Sequence, residues 1–174
     1  MLNRSRRSME SFWSAVKDIF DHNVLDHLSS YPAHSPTEHA KLEGSGRFAH
    51  SVRVGYLSFV LSKLFRCDPV VCARAGLLHD VGYDVREAKN PLKQVVLHAG
   101  RGAALARKMG ESAGVVSAIE SHMFPIGSPP RTIEAVVVWL ADKLDAALDL
   151  IGMSPILESF ASKILEVMMV GRRP

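Results

Sequence analysis

Apolar residues recur every three or four positions along nearly the whole chain, and no run of alternating, β-branched residues reads as a strand. The pattern predicts an all-α fold, a single compact helical bundle of about six to eight helices. Ser8 to about Leu28 is an amphipathic helix with Phe12, Ala15, Val16, Ile19 and Phe20 on one side. The following SSYPAHSPTEHAKLEGSG, Ser29 to Gly46, is rich in proline, glycine and hydroxyl residues and reads as loop or short turns. A helix over about Arg47 to Phe65 would bury Val52, Tyr56, Phe59, Val60 and Leu64. Asp68 and Pro69 then supply an N-cap and a first-turn proline for a helix running to about Gly82. Asn90-Pro91 breaks the chain, after which helices are predicted over about Val96 to Met109, ending at Gly110, and about Ser112 to Met123. FPIGSPPR, Phe124 to Arg131, cannot continue that helix, because its prolines remove donors and push the preceding residues out of helical geometry. Helices over about Thr132 to Ile151 and Pro155 to Val170 complete the pattern.

A chain of 174 residues, 47% hydrophobic and 22% charged, can bury one substantial core, so one domain is expected over residues 1–174. Within it, 47–148 would form the core that carries chemistry, 1–46 an N-terminal helix and loop, and 152–174 a C-terminal helix and basic tail. The longest apolar runs, such as EAVVVWLA, fall short of the roughly 18 residues that span a bilayer. The arginines near the N-terminus precede no apolar signal core, so a cytoplasmic location is expected and no membrane partner. Much of the net charge of +3 comes from Arg4, Arg6, Arg7, Arg172 and Arg173 at the two ends. Without an aromatic-interleaved basic stripe, this balance argues against a nucleic-acid partner. Cys67 and Cys72 match neither a CxxC redox pair nor a zinc knuckle and read as reduced thiols.

The stretch LLHDVGYD sets His79 and Asp80 side by side in an apolar run, where a carboxylate needs a partner for its charge. Asp142 has the same need, following Val136, Val137, Val138, Trp139 and Leu140. His50, His98 and His122 fall on other predicted helices, so a bundle could converge all six side chains on one point. A lone histidine on a helix is more often a hydrogen-bonded core residue than a ligand. The set changes that balance: imidazole with carboxylate suits Fe, Mn, Zn, Co or Ni, and six ligands exceed one tetrahedral zinc. They suit two divalent transition-metal ions sharing a bridging carboxylate.

Taken in order, GRFAHSVRV, GLLHDVGYD, LHAGRGAALA, AIESHMFP and WLADKLDAAL resemble the HD superfamily of metal-dependent phosphohydrolases. The HMFP and PPR elements look like those of a subset of small bacterial members. The resemblance implies that His50, His79, Asp80 and Asp142 bind a first metal, with Asp80 bridging to a second completed by His98 and His122. Fe or Mn would be the leading metals, with Zn, Co or Ni as substitutes. Many members carry Lys three residues after the doublet's Asp, where this chain has Tyr83, and the GYP extension of cyclic-di-GMP phosphodiesterases is absent.

The expected activity is therefore hydrolysis of a small-molecule phosphomonoester or phosphodiester, with a nucleotide the expected class, by a metal-activated water. Asp80, His122, Lys143 and Arg101 are the catalytic candidates. Lys143, Arg101, Arg86 or Arg47 would supply the phosphate contact that the missing lysine leaves open. His122 is assigned as a ligand in preference to a general acid. Tyr31, Phe48, Tyr83 and Phe124 are candidates to stack on a base. The rival reading is a metal-stabilised nucleotide sensor without turnover, which the absent lysine favours and the complete ligand set opposes. Oligomeric state is left open.

Overall fold

The computed structural model describes residues 47–83 and 91–153, and all the helices there belong to one helical bundle. The expected helices at 8–28 and 155–170, the loop at 29–46, and Tyr31 and Arg86 lie outside the described residues. Five helices are described: α1 (Arg47–Phe65), α2 (Pro69–Leu78), α3 (Pro91–Lys108), α4 (Ala113–Ser121) and α5 (Ile133–Leu150).

Three of the helix starts are fixed by local capping chemistry. Asp68 accepts from the amides of Val70 and Val71 ahead of Pro69, Ser112 from Val115, and Thr132 from Ala135, which satisfies amides that the first turn leaves unpaired. At the other end of α3, Gly110 takes a left-handed φ of 81°, a conformation that costs a residue without Cβ little.

Helices α1 and α2 cross where Gly55 meets Gly76. A Cβ on Gly76 would lie 2.8 Å from the Gly55 Cα and 2.9 Å from the Val54 carbonyl, so the two backbones touch. Around that crossing Val52, Phe59, Leu77, Leu78, Ile119 and Val138 form the core, joining α1, α2, α4 and α5. Helix α1 packs on both α2 and α5, and α4 lies against α3, α2 and α5. Val52 and Phe59 are buried as expected, whereas Val60 and Leu64 face outward, so the inner face of α1 is narrower than its apolar pattern predicts. No described helix is long and apolar enough to cross a membrane.

Two boundaries differ from expectation. α2 ends at Leu78, so His79, Asp80, Val81 and Gly82 form turns after the helix and not its last turn. Main-chain bonds from Val81 to Leu78 and from Tyr83 to Asp80 hold this corner. α3 starts at Pro91, with proline in its first turn, which places His98 two turns into the helix and not at its start.

Candidate metal centre

The corner after α2 carries the doublet into the middle of the bundle. His79 is fully buried and Asp80 almost so. His50 arrives from the first turn of α1, His98 from α3, His122 as the C-cap of α4, and Asp142 from the middle of α5. The structure thus brings together all six predicted ligands. The Nε2 atoms of His50 and His79 are 3.1 Å apart, and those of His98 and His122 are 2.9 Å apart.

Asp80 stands between these pairs. Its Oδ1 faces His98 Nε2 at 3.2 Å and His122 Nε2 at 3.7 Å, while its Oδ2 faces His79 Nε2 at 3.6 Å and His50 Nε2 at 3.9 Å. Asp142 Oδ1 adds to the second side, 3.3 Å from His50 and 3.7 Å from His79. Two overlapping groups, His50 with His79 and Asp142, and His79 with Asp80 and His122, have donor atoms near enough together to hold a metal ion.

Tautomers decide what this cluster can bind. His79 Nδ1 donates to the Gly76 carbonyl and His122 Nδ1 to the Ile119 carbonyl, each at 2.7 Å. A carbonyl only accepts, so both protons sit on Nδ1. Burial, reinforced by the neighbouring His79, pulls the His122 pKa down to about 3, and burial lowers that of His79 as well. Both rings are therefore neutral near pH 7, with bare Nε2 lone pairs aimed at each other's neighbours and at two carboxylates. Such a convergence of acceptors is costly without a cation, and the donor set is the imidazole and carboxylate mixture that divalent transition metals take.

His50 differs from these two. Its Nδ1 donates to Asp145 Oδ2 at 2.8 Å, and Arg53 grips the same carboxylate through Nε at 2.8 Å and Nη2 at 3.0 Å. Burial disfavours charge on His50, yet its contacts with Asp142 and Asp145 outweigh that and raise its pKa to about 10. Asp142 is pushed well below the usual carboxylate range: burial opposes this, but His50 and His79 outweigh it. Asp145 is also lowered, by His50 and Arg53 against its burial.

Asp145 and Arg53 were not among the predicted site residues. Each has a faint signal in sequence, lying three residues, about one helical turn, beyond a predicted ligand: HSVR after His50 and DKLD after Asp142.

The other expected residues lie as follows. Lys143 Nζ reaches Asp142 Oδ2 at 2.7 Å and its side chain is 41% exposed. Arg101 is half-buried one turn beyond His98 on α3. The Tyr83 ring is 6.1 Å from that of His98. Phe124 packs edge-on to Trp139, whose indole donates to the Phe124 carbonyl at 2.9 Å. Arg47 and Phe48 open α1, and their side chains are not among those described.

The described core coincides with a known family: residues 47–147 match the HD domain. This chain belongs to the HD domain family. Outside that match, an HD superfamily hydrolase from an uncultured Thermotogales bacterium has the same fold, with a TM-score of 0.51 and 19% identity, over 86% of this chain and 91% of that one. The HD region is also similar to part of Ribonuclease Y. The identity is 40% over 105 residues with the Desulforudis audaxviator protein and 36% over 104 residues with that of Borreliella burgdorferi. In each case 60% of this chain aligns, yet it spans only 19% of the relative's length.

Proposed function

We propose that this HD domain is a metal-dependent phosphoester hydrolase that binds two divalent transition-metal ions, with Fe or Mn the leading candidates. The observation that carries the reading is the split of the Asp80 carboxylate, one oxygen facing the His98 and His122 pair and the other the His50 and His79 pair. His50, His79 and Asp142 would hold one ion, His98 and His122 the other, and Asp80 both. Bound there, the ions supply Lewis acidity that lowers the pKa of water toward neutrality and offsets phosphate charge.

The chain's own residues then orient and compensate. Among the described cations, Lys143, beside Asp142 and 41% exposed, is the best placed to take a substrate phosphate oxygen and would stand in for the lysine replaced by Tyr83. Arg101 is the second candidate. His122 acts as a ligand and not as an acid, because its Nδ1 proton is committed to Ile119 and its depressed pKa leaves no proton on Nε2. Tyr83, whose ring lies 6.1 Å from that of His98, and Phe124, two residues after His122, are the candidate base contacts.

For substrate we favour a phosphodiester over a monoester, and a nucleotide or RNA strand within that class. Relatives named Ribonuclease Y support this choice, and with them the composition argument against nucleic acid loses its force. We also place the chain, on its HMFP and PPR elements, with small bacterial HD hydrolases acting from the cytoplasm. The test is to load purified protein with Mn or Fe and assay p-nitrophenyl phosphate, bis-p-nitrophenyl phosphate and a single-stranded RNA side by side. Metal-dependent turnover of the diesters, abolished in Asp80→Ala, is expected. Fully metallated protein that cleaves none of the three would overturn the enzymatic reading in favour of a nucleotide-binding sensor.

A further inference from the structure

Three of the cluster's histidines have a described partner that fixes the ring, and these partners are of two chemically different kinds. His79 and His122 donate to main-chain carbonyls, which are neutral. His50 donates to Asp145, a carboxylate with essentially no solvent exposure. That carboxylate is in turn held by Arg53, which is itself buried, in a two-bonded grip. Asp145 lies one turn beyond Asp142 on α5 and Arg53 one turn beyond His50 on α1, so the helices that present ligands also present their supports.

A carboxylate behind an imidazole makes the opposite nitrogen a stronger donor than a carbonyl does, and it locks the ring's orientation. Arg53 bonds both oxygens of that carboxylate and offsets its charge, so Asp145 is held in the orientation that fixes the His50 ring. We infer that Asp145, braced by Arg53, is a positioning residue for His50 and makes the position formed by His50, His79 and Asp142 the tighter of the two ion positions. The inference rests on the two-ion reading of the cluster.

The test titrates metal-free protein with Co²⁺ alone, followed by calorimetry and by visible absorption of the bound ion. The wild type is expected to bind in two unequal phases. Asp145→Asn should weaken the tighter phase by about 10- to 100-fold and leave the weaker one in place. His122→Ala should do the converse, and Asp145→Glu should recover part of the tight phase. Because a lone buried Arg53 could unfold the single variant, Arg53→Met with Asp145→Leu is made as well, since an apolar pair of similar volume commonly replaces a buried ion pair without loss of stability. It should fold and show the same selective loss. Two wild-type phases in either folded Asp145 variant, or equal weakening of both, would overturn the inference and leave the two-ion reading intact. No Co²⁺ uptake by the wild type would overturn both.

Discussion

Substituting Gly82 by alanine tests how the doublet's corner is coupled to the second half of the cluster. A Cβ at position 82 would fall 2.1 Å from the His98 carbonyl oxygen, 2.2 Å from the Gly102 amide nitrogen and 2.8 Å from the Gly102 Cα. All three are backbone atoms of α3, so no side chain can swing aside. Since real Cβ contacts essentially never fall below 3.0 Å, the corner and α3 must separate by about 1 Å. His98 rides on the displaced segment. Its Nε2 lies 3.2 Å from Asp80 and 2.9 Å from His122, whereas metal bonds of about 2.0–2.2 Å tolerate errors of only a few tenths of an ångström. Gly82→Ala is therefore expected to lose the ion on the His98 and His122 side and keep the one on the His50 side. Forced overpacking costs typically about 1–3 kcal/mol, and an all-backbone clash belongs at the upper end. For a chain of this size that lowers Tm by roughly 6–12 °C. Elemental analysis of ions per chain, with thermal unfolding in chelator, reads both effects. A variant that keeps both ions and melts within a degree of the wild type would refute the coupling.

Asp80→Ala removes the group shared by both sides and should abolish binding of both ions while leaving helical circular dichroism intact; one retained ion would show that Asp80 does not bridge. Lys143→Ala should leave metal content unchanged and lower kcat/KM for a phosphodiester by roughly 10- to 100-fold, below the roughly 100- to 1,000-fold typical of a lost buried charge-stabilising donor because this cation is half-exposed. An unchanged kcat/KM would exclude Lys143 as the phosphate contact. Metal-free stability should peak near pH 6.5. Below that, His122, with its pKa depressed to about 3, takes up no proton while the unfolded chain does, so stability falls with pH, joined by His79 and at lower pH by Asp142. Above it, His50, with its pKa raised to about 10, keeps a proton that the unfolded chain loses, so stability falls as pH rises toward 10. Each slope is limited to about 1.4 kcal/mol per pH unit per group. Urea unfolding in chelator at pH 5, 6.5 and 8.5 measures it, and a monotonic trend would contradict the assigned shifts.

What could be read from sequence follows from how local each feature is. Asp68, Ser112 and Thr132 bond to amides two or three residues away, and the helix starts they mark lie within one residue of those expected. The order of ligands was legible because apolar surroundings make histidine and aspartate conspicuous. The end of α2 was not, since ARAGLLHDVG is apolar on both sides of the boundary and periodicity has nothing to register. Only the corner's main-chain bonds and the Gly82 contact with α3 show where the helix stops. The outward placement of Val60 and Leu64 depends on which neighbours reach α1, which its own pattern does not encode. Asp145 lies 95 positions from His50 and 92 from Arg53, and a pairing across that distance is created by the docking of α1 on α5.

The cluster draws on every described helix or the corner that follows it, and its members contact partners 24, 29 and 95 positions away along the chain. No subset of neighbouring elements can assemble it. On the two-ion reading, a bound pair would act as a proofreader of the fold: the ion at His50, His79 and Asp142 requires α1, α2 and α5 to have docked, and the full pair requires all five segments. An ion at a thousand times its Kd would add about 4 kcal/mol to the native state alone. Metal chemistry at this site would thereby be confined to finished molecules, since a half-folded chain presents only scattered histidines.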